Sequence, residues 1–139
     1  MRRRIVLTAS DARALMEAAR EEAERRGIGA SVAVVDEAGV PMLLERLDGA
    51  RLHTPDAATL KARTAAITRS DTRTLQEQVH EQPAMLSFPG RMPLAGGMPI
   101  EVDGEVVGAV GCSGGQPEDD EAVCRAALTV AASLDRPGD

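Results

Sequence analysis

Aromatic side chains are almost missing from this sequence, which has no Trp, no Tyr and a single Phe at position 88. Stacking platforms for single-stranded nucleic acid need several such rings, so binding of that kind is excluded. Lysine is nearly absent too: of 16 basic residues only Lys61 is not arginine. The one basic concentration is Arg2-Arg3-Arg4, and the formal net charge is −6. Nucleic-acid binding usually needs a concentrated basic face, so no nucleic-acid partner is expected. The two cysteines, Cys112 and Cys124, stand twelve positions apart. That spacing fits no closed zinc site, and reduced thiols in a cytoplasmic protein are the expectation. No apolar run approaches the roughly 20 residues of a membrane span. Thr8, Ser10 and Asp11 follow the arginine triplet too closely to leave room for the apolar stretch of a signal peptide.

What is present suits one folded domain. The 139 residues are 43% hydrophobic and 27% charged, too apolar for disorder. A chain of this size buries roughly two-thirds of the surface it exposes when unfolded, without disulfide or metal staples. The whole of 1–139 is read as a single domain, with 1–6 as a leader and 135–139 as a frayed tail.

Thr8-Ala9-Ser10-Asp11 has the spacing of a capping box, and Ala12, Leu15, Met16, Ala19 and Ala23 follow at helical intervals up to Gly27. A helix is predicted over Ala9–Arg26, with Glu21–Arg25 and Glu22–Arg26 pairs on its outer face. Ser31–Asp36 and Val40–Leu47 read as a hairpin around Gly39. Pro99–Val102 and Glu105–Cys112 form a second hairpin on Asp103-Gly104, a favoured two-residue turn. Gly108 and Gly111 inside that return strand suggest a bulge or the close approach of another backbone or a ligand. Between the hairpins Thr54 is the expected cap of a helix to about Arg69, and a shorter helix should span Thr72 to His80. Pro83–Met98 reads as loop, and Pro117-Glu118-Asp119-Asp120 as the acidic start of a last helix reaching about Leu134. The order α-β-β-α-α-β-β-α gives an α+β fold, an antiparallel sheet flanked by helices.

The second helix carries the best chemical clue. At 100° per residue Ala57, Lys61, Thr64 and Thr68 fall on one stripe, while Asp56, Thr59, Arg63 and Ser70 lie opposite. Lys61 is thus predicted to point inward, where an ammonium needs a partner or an anion. Two readings stand: it reaches from the core edge to Asp36, Glu45 or Asp48, or it binds an anionic ligand. Gly96-Gly97 offers a second anion-binding element, a nest of adjacent N–H groups, against the plainer reading of a turn. Gly111-Cys112-Ser113-Gly114-Gly115 lacks the Lys-Ser/Thr ending of a phosphate loop and the full dinucleotide fingerprint, so no nucleotide is expected. His53 stands before a helix and has the chemistry of a haem-iron ligand; His80 is read as a surface histidine. Met42, Met85, Met92 and Met98 either line an adaptable pocket or fill the core.

Five blocks in register resemble a known family: Val34-Val35-Asp36-x-x-Gly39, Arg46-x-Asp48-Gly49-Ala50, Lys61-Ala62-Arg63-Thr64-Ala65, Pro93-Leu94-x-Gly96-Gly97-x-Pro99-Ile100 and Val107-Gly108-Ala109-Val110-Gly111-x-Ser113-Gly114. Together they look like the GlcG/HbpS family, which includes the C-terminal domain of PduO-type proteins. The resemblance implies a five-stranded antiparallel sheet in a profilin- or PAS-like arrangement, with the fifth strand drawn from 83–98 or a terminus. It also implies homo-oligomers and haem binding, with degradation of haem or sensing of oxidative stress in some members. Carried over by position, the pocket would be built from Lys61, Arg63, Thr64, Gly96 and Gly97. One departure is clear: haem pockets usually offer aromatic surface, and Phe88 is the sole ring. The leading expectation is a cytoplasmic haem-binding protein with iron near His53 and propionates near Lys61 and Gly96-Gly97. Its rival is a cofactor-free catabolic enzyme of isomerase or lyase type, holding a small carboxylated metabolite on Lys61 with Asp36 or Asp48 as base.

Overall fold

The structure is a computed structural model that describes residues 1–134; the tail expected at 135–139 lies outside the described residues. Helix α1 spans Ala9–Arg26, the predicted bounds, and the capping box forms: the Asp11 N–H donates to Thr8 Oγ1 at 3.1 Å while the Thr8 N–H donates to Asp11 Oδ2 at 2.8 Å. On its outer face Arg26 pairs with Glu22 at 3.1 Å as expected, whereas Arg25 turns to Glu22 instead of Glu21.

The two hairpins appear as β1 (Ser31–Asp36) with β2 (Pro41–Arg46), and β3 (Gly97–Val102) with β4 (Glu105–Ser113). Asp103 and Gly104 both adopt positive φ, 52° and 79°, as a type I′ turn demands. The hairpins join through their inner strands into one antiparallel sheet of order β2-β1-β4-β3, with Val34 opposite Val110 and Asp36 opposite Gly108. Between β3 and β4 the register steps from Ile100↔Gly108 to Glu101↔Val106, so a bulge adjoins Gly108. The sheet has four strands among the described residues, where five were expected. The Pro83–Met98 segment supplies no fifth strand: it opens with a 3-10 turn over Pro83–Ser87, with Pro83 at its start, Pro89 and Pro93 remove further ladder donors, and β3 begins only at Gly97.

The remaining helices are α2 (Thr54–Thr68), α3 (Thr72–Glu81) and α4 (Pro117–Ala131). Helices α1 and α4 pack together on one face of the sheet over Leu15, Val32, Val34, Ile100, Val110 and Val123. Ile5 and Leu7 close the rim of that core, and Arg4 meets Glu37 at 3.7 Å, so the predicted leader lies against the domain. Helix α2 covers the opposite face with a layer of small side chains: Ala58, Ala62, Ala65 and Ala66 against Ala33, Val35 and Ala109. β1 is therefore buried on both faces, which is why it reads as a continuous apolar run. Gly111 makes this layer thin. A Cβ there would stand 2.2 Å from the Ala58 carbonyl oxygen and 2.7 Å from the Ala62 nitrogen, so the close approach suspected in the sequence is that of the α2 backbone.

Thr54 does not cap α2. His53 takes the N-cap position without a side-chain bond to the helix. The Thr54 hydroxyl instead donates to the Arg51 carbonyl at 2.7 Å and bonds to the Ser31 hydroxyl at 2.9 Å, tying the start of α2 to β1.

Candidate functional site

The tight seating of α2 on β4 carries Lys61 to the floor of a cavity of about 610 Å³. Its walls come from the 51–54 turn, the β4–α4 connection and the loop before β3, with Arg51, His53, Leu94, Ser113 and Gly115 among them. Lys61 is only 5% exposed. Its Nζ donates to the Cys112 carbonyl at 3.1 Å and to Asp120 Oδ2 at 3.3 Å. The inward direction predicted from the helical stripe is what the structure has, but the partner is Asp120 of α4, not Asp36, Glu45 or Asp48.

Asp120 is itself 4% exposed. Burial pushes its carboxyl above the ordinary range, against the pull of the Gly115 N–H, which donates to Oδ1 at 2.9 Å, and of Lys61. The neighbouring Asp119 has the conventional role at a helix start: its carboxylate accepts the Gln116 N–H at 3.2 Å and pairs with Arg26 at 2.9 Å. These two aspartates occupy the Gly115 and Gln116 N–H groups, so those two donors ahead of α4 are not open to an outside anion.

Gly96 lets the cluster close. It holds φ 121°, and a Cβ on it would sit 2.7 Å from the Cys112 oxygen and 3.0 Å from Lys61 Nζ. The Gly97 N–H is directed to Thr72 Oγ1 at 2.8 Å. The Gly96-Gly97 pair thus works here as a close-packed corner beside Lys61, and the Gly97 N–H is not available for a nest. Below it lie Cys112 and Cys124, both free and fully buried, with their thiols pushed up by burial.

The other residues singled out in the sequence are dispersed. Thr64 is buried, donates to the Leu60 carbonyl at 2.7 Å and accepts the Met92 N–H at 2.8 Å, anchoring the loop before β3. Arg63 is exposed on the far side of α2, where its stem covers Gly39. Asp36 accepts the Ala38 and Val40 N–H groups at 2.9 Å each and organises the first hairpin turn. Asp48 is exposed after β2, and neither aspartate lines the cavity. The base assigned to the rival enzyme reading is therefore not beside Lys61.

His53 does line it, exposed at the mouth, and its imidazole has no hydrogen-bond partner among the described residues. Arg51, which the sequence did not single out, stands on the same wall with no ion pair among the described residues; its sole signal was position, two residues before His53. Gln76 and Leu94 form a ridge shared with a second cavity of about 550 Å³, lined by Val79, His80, Leu86, Met92 and Pro93. Of the four methionines considered for a pocket, Met92 lines this cavity, while Met98 is core and Met42 packs against it.

The fold and site together define a small α+β protein with one antiparallel sheet, sandwiched by helices, and a ligand-sized cavity at the end of an inward lysine-bearing helix. A family model described as "Haem degrading protein HbpS-like" matches residues 7–129. The Escherichia coli (strain K12) protein GlcG is 35% identical over 114 residues, covering 81% of this chain and 85% of GlcG. A crystal structure of a double mutant of Streptomyces reticuli HbpS superposes with a TM-score of 0.87 at 34% identity, over 94% of this chain and 90% of that one. A crystal structure of a PduOC–haem complex superposes with a TM-score of 0.83 at 26% identity, over 90% and 94% of the two chains. The chain belongs to the GlcG/HbpS family.

Proposed function

We infer that this protein binds haem in the cavity floored by Lys61. The observation that carries the reading is the convergence of an open imidazole, His53, with two cations, Arg51 and Lys61, on one cavity of about 610 Å³. That is the donor set haem calls for: a nitrogen for iron and positive charge for two propionates. Arg51 has no competing carboxylate among the described residues, so it is the first propionate partner, and Lys61 the second. The aromatic surface missing from the sequence is replaced by aliphatic surface, because the adjoining cavity beyond Leu94 offers Val79, Leu86 and Met92 to the apolar edge of the macrocycle. The likeness to a chain solved with haem supports the same ligand. Bound haem supplies a redox-active iron, so sensing or degradation of haem would be built on this site. A cytoplasmic homo-oligomer is part of the proposal, and light scattering on the purified protein tests the assembly.

The test of binding is a haemin titration of the purified protein followed by absorbance, against a background almost silent near 280 nm because Trp and Tyr are absent. A saturable Soret shift with simple stoichiometry is expected. His53→Ala should move the band and weaken binding by on the order of tenfold, about 1.4 kcal/mol. A nonsaturating spectrum overturns the haem reading; saturable binding with an unchanged band in His53→Ala removes His53 as ligand. Loss of the bound Soret band under reductant and oxygen would identify degradation.

A further inference from the structure

Lys61 and Asp120 form an ion pair on a cavity wall, and among the described residues neither has a surplus partner. Lys61 uses two of its three N–H donors, on Cys112 O and Asp120 Oδ2. Asp120 holds the Gly115 N–H and the Cys112 thiol on Oδ1, the thiol at 3.6 Å, and only Lys61 on Oδ2. We propose that this pair is exchangeable: a carboxylate entering the cavity takes the Lys61 ammonium, and Asp120 takes up a proton in its place, so that binding of a carboxylate ligand is coupled to uptake of one proton.

The charge count requires a change of this kind. Before binding, the buried pair is neutral overall. A ligand carboxylate on Lys61 would leave two anions sharing one cation in a site closed to water on its floor, where the repulsion is strong. Neutralising Asp120 restores the balance: Lys61 stays an ammonium against the ligand carboxylate, Oδ2 of Asp120 carries the proton, and Oδ1 keeps its Gly115 bond. The groups around Asp120 favour this outcome. Among the described residues Lys61 from α2 is the one cation bonded to it; the Cys112 thiol of β4 and the Cys124 thiol of α4 stay neutral; Glu121 of α4 is engaged by Arg73 at 2.9 Å, and Asp71 at the head of α3 is another acid. On α1, Arg26 is committed to Asp119 and Glu22. Among the described residues no second cation bonds to Asp120 to hold it ionised once Lys61 turns away, Arg51 across the cavity being taken by the other propionate, and burial already raises the Asp120 carboxyl.

This inference rests on the haem reading, with the propionates as the carboxylates. Calorimetric titrations of the whole chain with haemin in phosphate and in Tris buffer, whose ionisation enthalpies differ, give the protons taken up per haem. Haemin dimethyl ester is the control, since it keeps the iron chemistry and lacks the carboxylates; it needs no variant. Haemin is expected to take up about one proton more than the ester, with its affinity rising as pH falls. Asp120→Asn should abolish that difference while still binding haemin; Lys61→Met/Asp120→Asn, which leaves no buried unpaired charge, should bind haemin more weakly for want of the Lys61 ammonium and likewise show no difference. Equal uptake for haemin and ester, or an uptake that survives in both variants, overturns the proposal and leaves haem binding standing. Absence of saturable haemin binding overturns the haem reading and this proposal with it.

Discussion

Lys61 was legible in the sequence and its partner was not, and the difference is geometric. A single lysine on the inner stripe of an alanine-rich helix has a direction fixed by helical periodicity alone. Asp120 is 59 positions away and sits in a Glu118-Asp119-Asp120 run that suits any helix start. Asp119 meets that expectation, and one residue further round the turn Asp120 faces the core instead. Removing one member of a buried pair costs roughly 3–5 kcal/mol, so Lys61→Met should destabilise the fold on that order at pH 8. The loss should be smaller at pH 5. In the native protein burial raises the Asp120 carboxyl, so over the window between its unfolded and folded titrations the native state holds more protons than the unfolded chain. The contribution of this group therefore falls as pH climbs through that window, and taking away the Lys61 charge extends the window upward. Urea denaturation at the two pH values measures it; equal losses would mean that Asp120 is ionised in the variant at both.

Among the elements, α1 and the two hairpins could be read because each is stated locally: a capping box, apolar spacing, and turns whose residues tolerate positive φ. Thr54 misled because its hydroxyl serves Ser31 and the Arg51 carbonyl, contacts that depend on β1. The alanines of α2 are another such case. In sequence they are good helix formers, and in the structure they set the distance between helix and sheet, with Gly111 as the contact point. Gly111→Ala would force the new methyl group into the Ala58 carbonyl, and overpacking of a filled layer costs about 1–3 kcal/mol or more. The helix can relieve the clash only by rising off β4, which lifts Lys61 from Cys112 and Asp120. Gly111→Ala is therefore expected to lower the urea midpoint and weaken haemin binding together. Gly104→Ala in the open β3–β4 turn should cost roughly 1 kcal/mol of backbone strain and leave haemin binding unchanged. A Gly111 variant with full stability would show that α2 is not seated as closely as described.

The whole molecule is held together by pairings no local pattern announces. Each hairpin was visible, but their union through β1 and β4, which puts β2 and β3 at the edges and gives a sheet of four strands, depends on contacts across most of the chain. The same union buries Cys112 in the centre of the sheet and Cys124 in the helix packed over it, where both thiols are inaccessible and pushed up by burial. A thiol reagent attacks the thiolate at an exposed sulfur, so neither can react in the closed fold. If α2, the sheet and α4 open as one cooperative unit, both cysteines will be labelled at one slow rate. That rate should rise with urea along the full slope of global unfolding and fall when haemin stabilises the native state. Mass spectrometry of partly labelled protein separates the two sites. Cys112 bonds to the Lys61–Asp120 pair itself, through its carbonyl and its thiol, whereas the Cys124 thiol bonds to the Gly96 and Val110 carbonyls. Labelling of Cys112 well ahead of Cys124 would therefore mean that the cavity floor opens on its own, and that Lys61 leaves its partners without unfolding the rest.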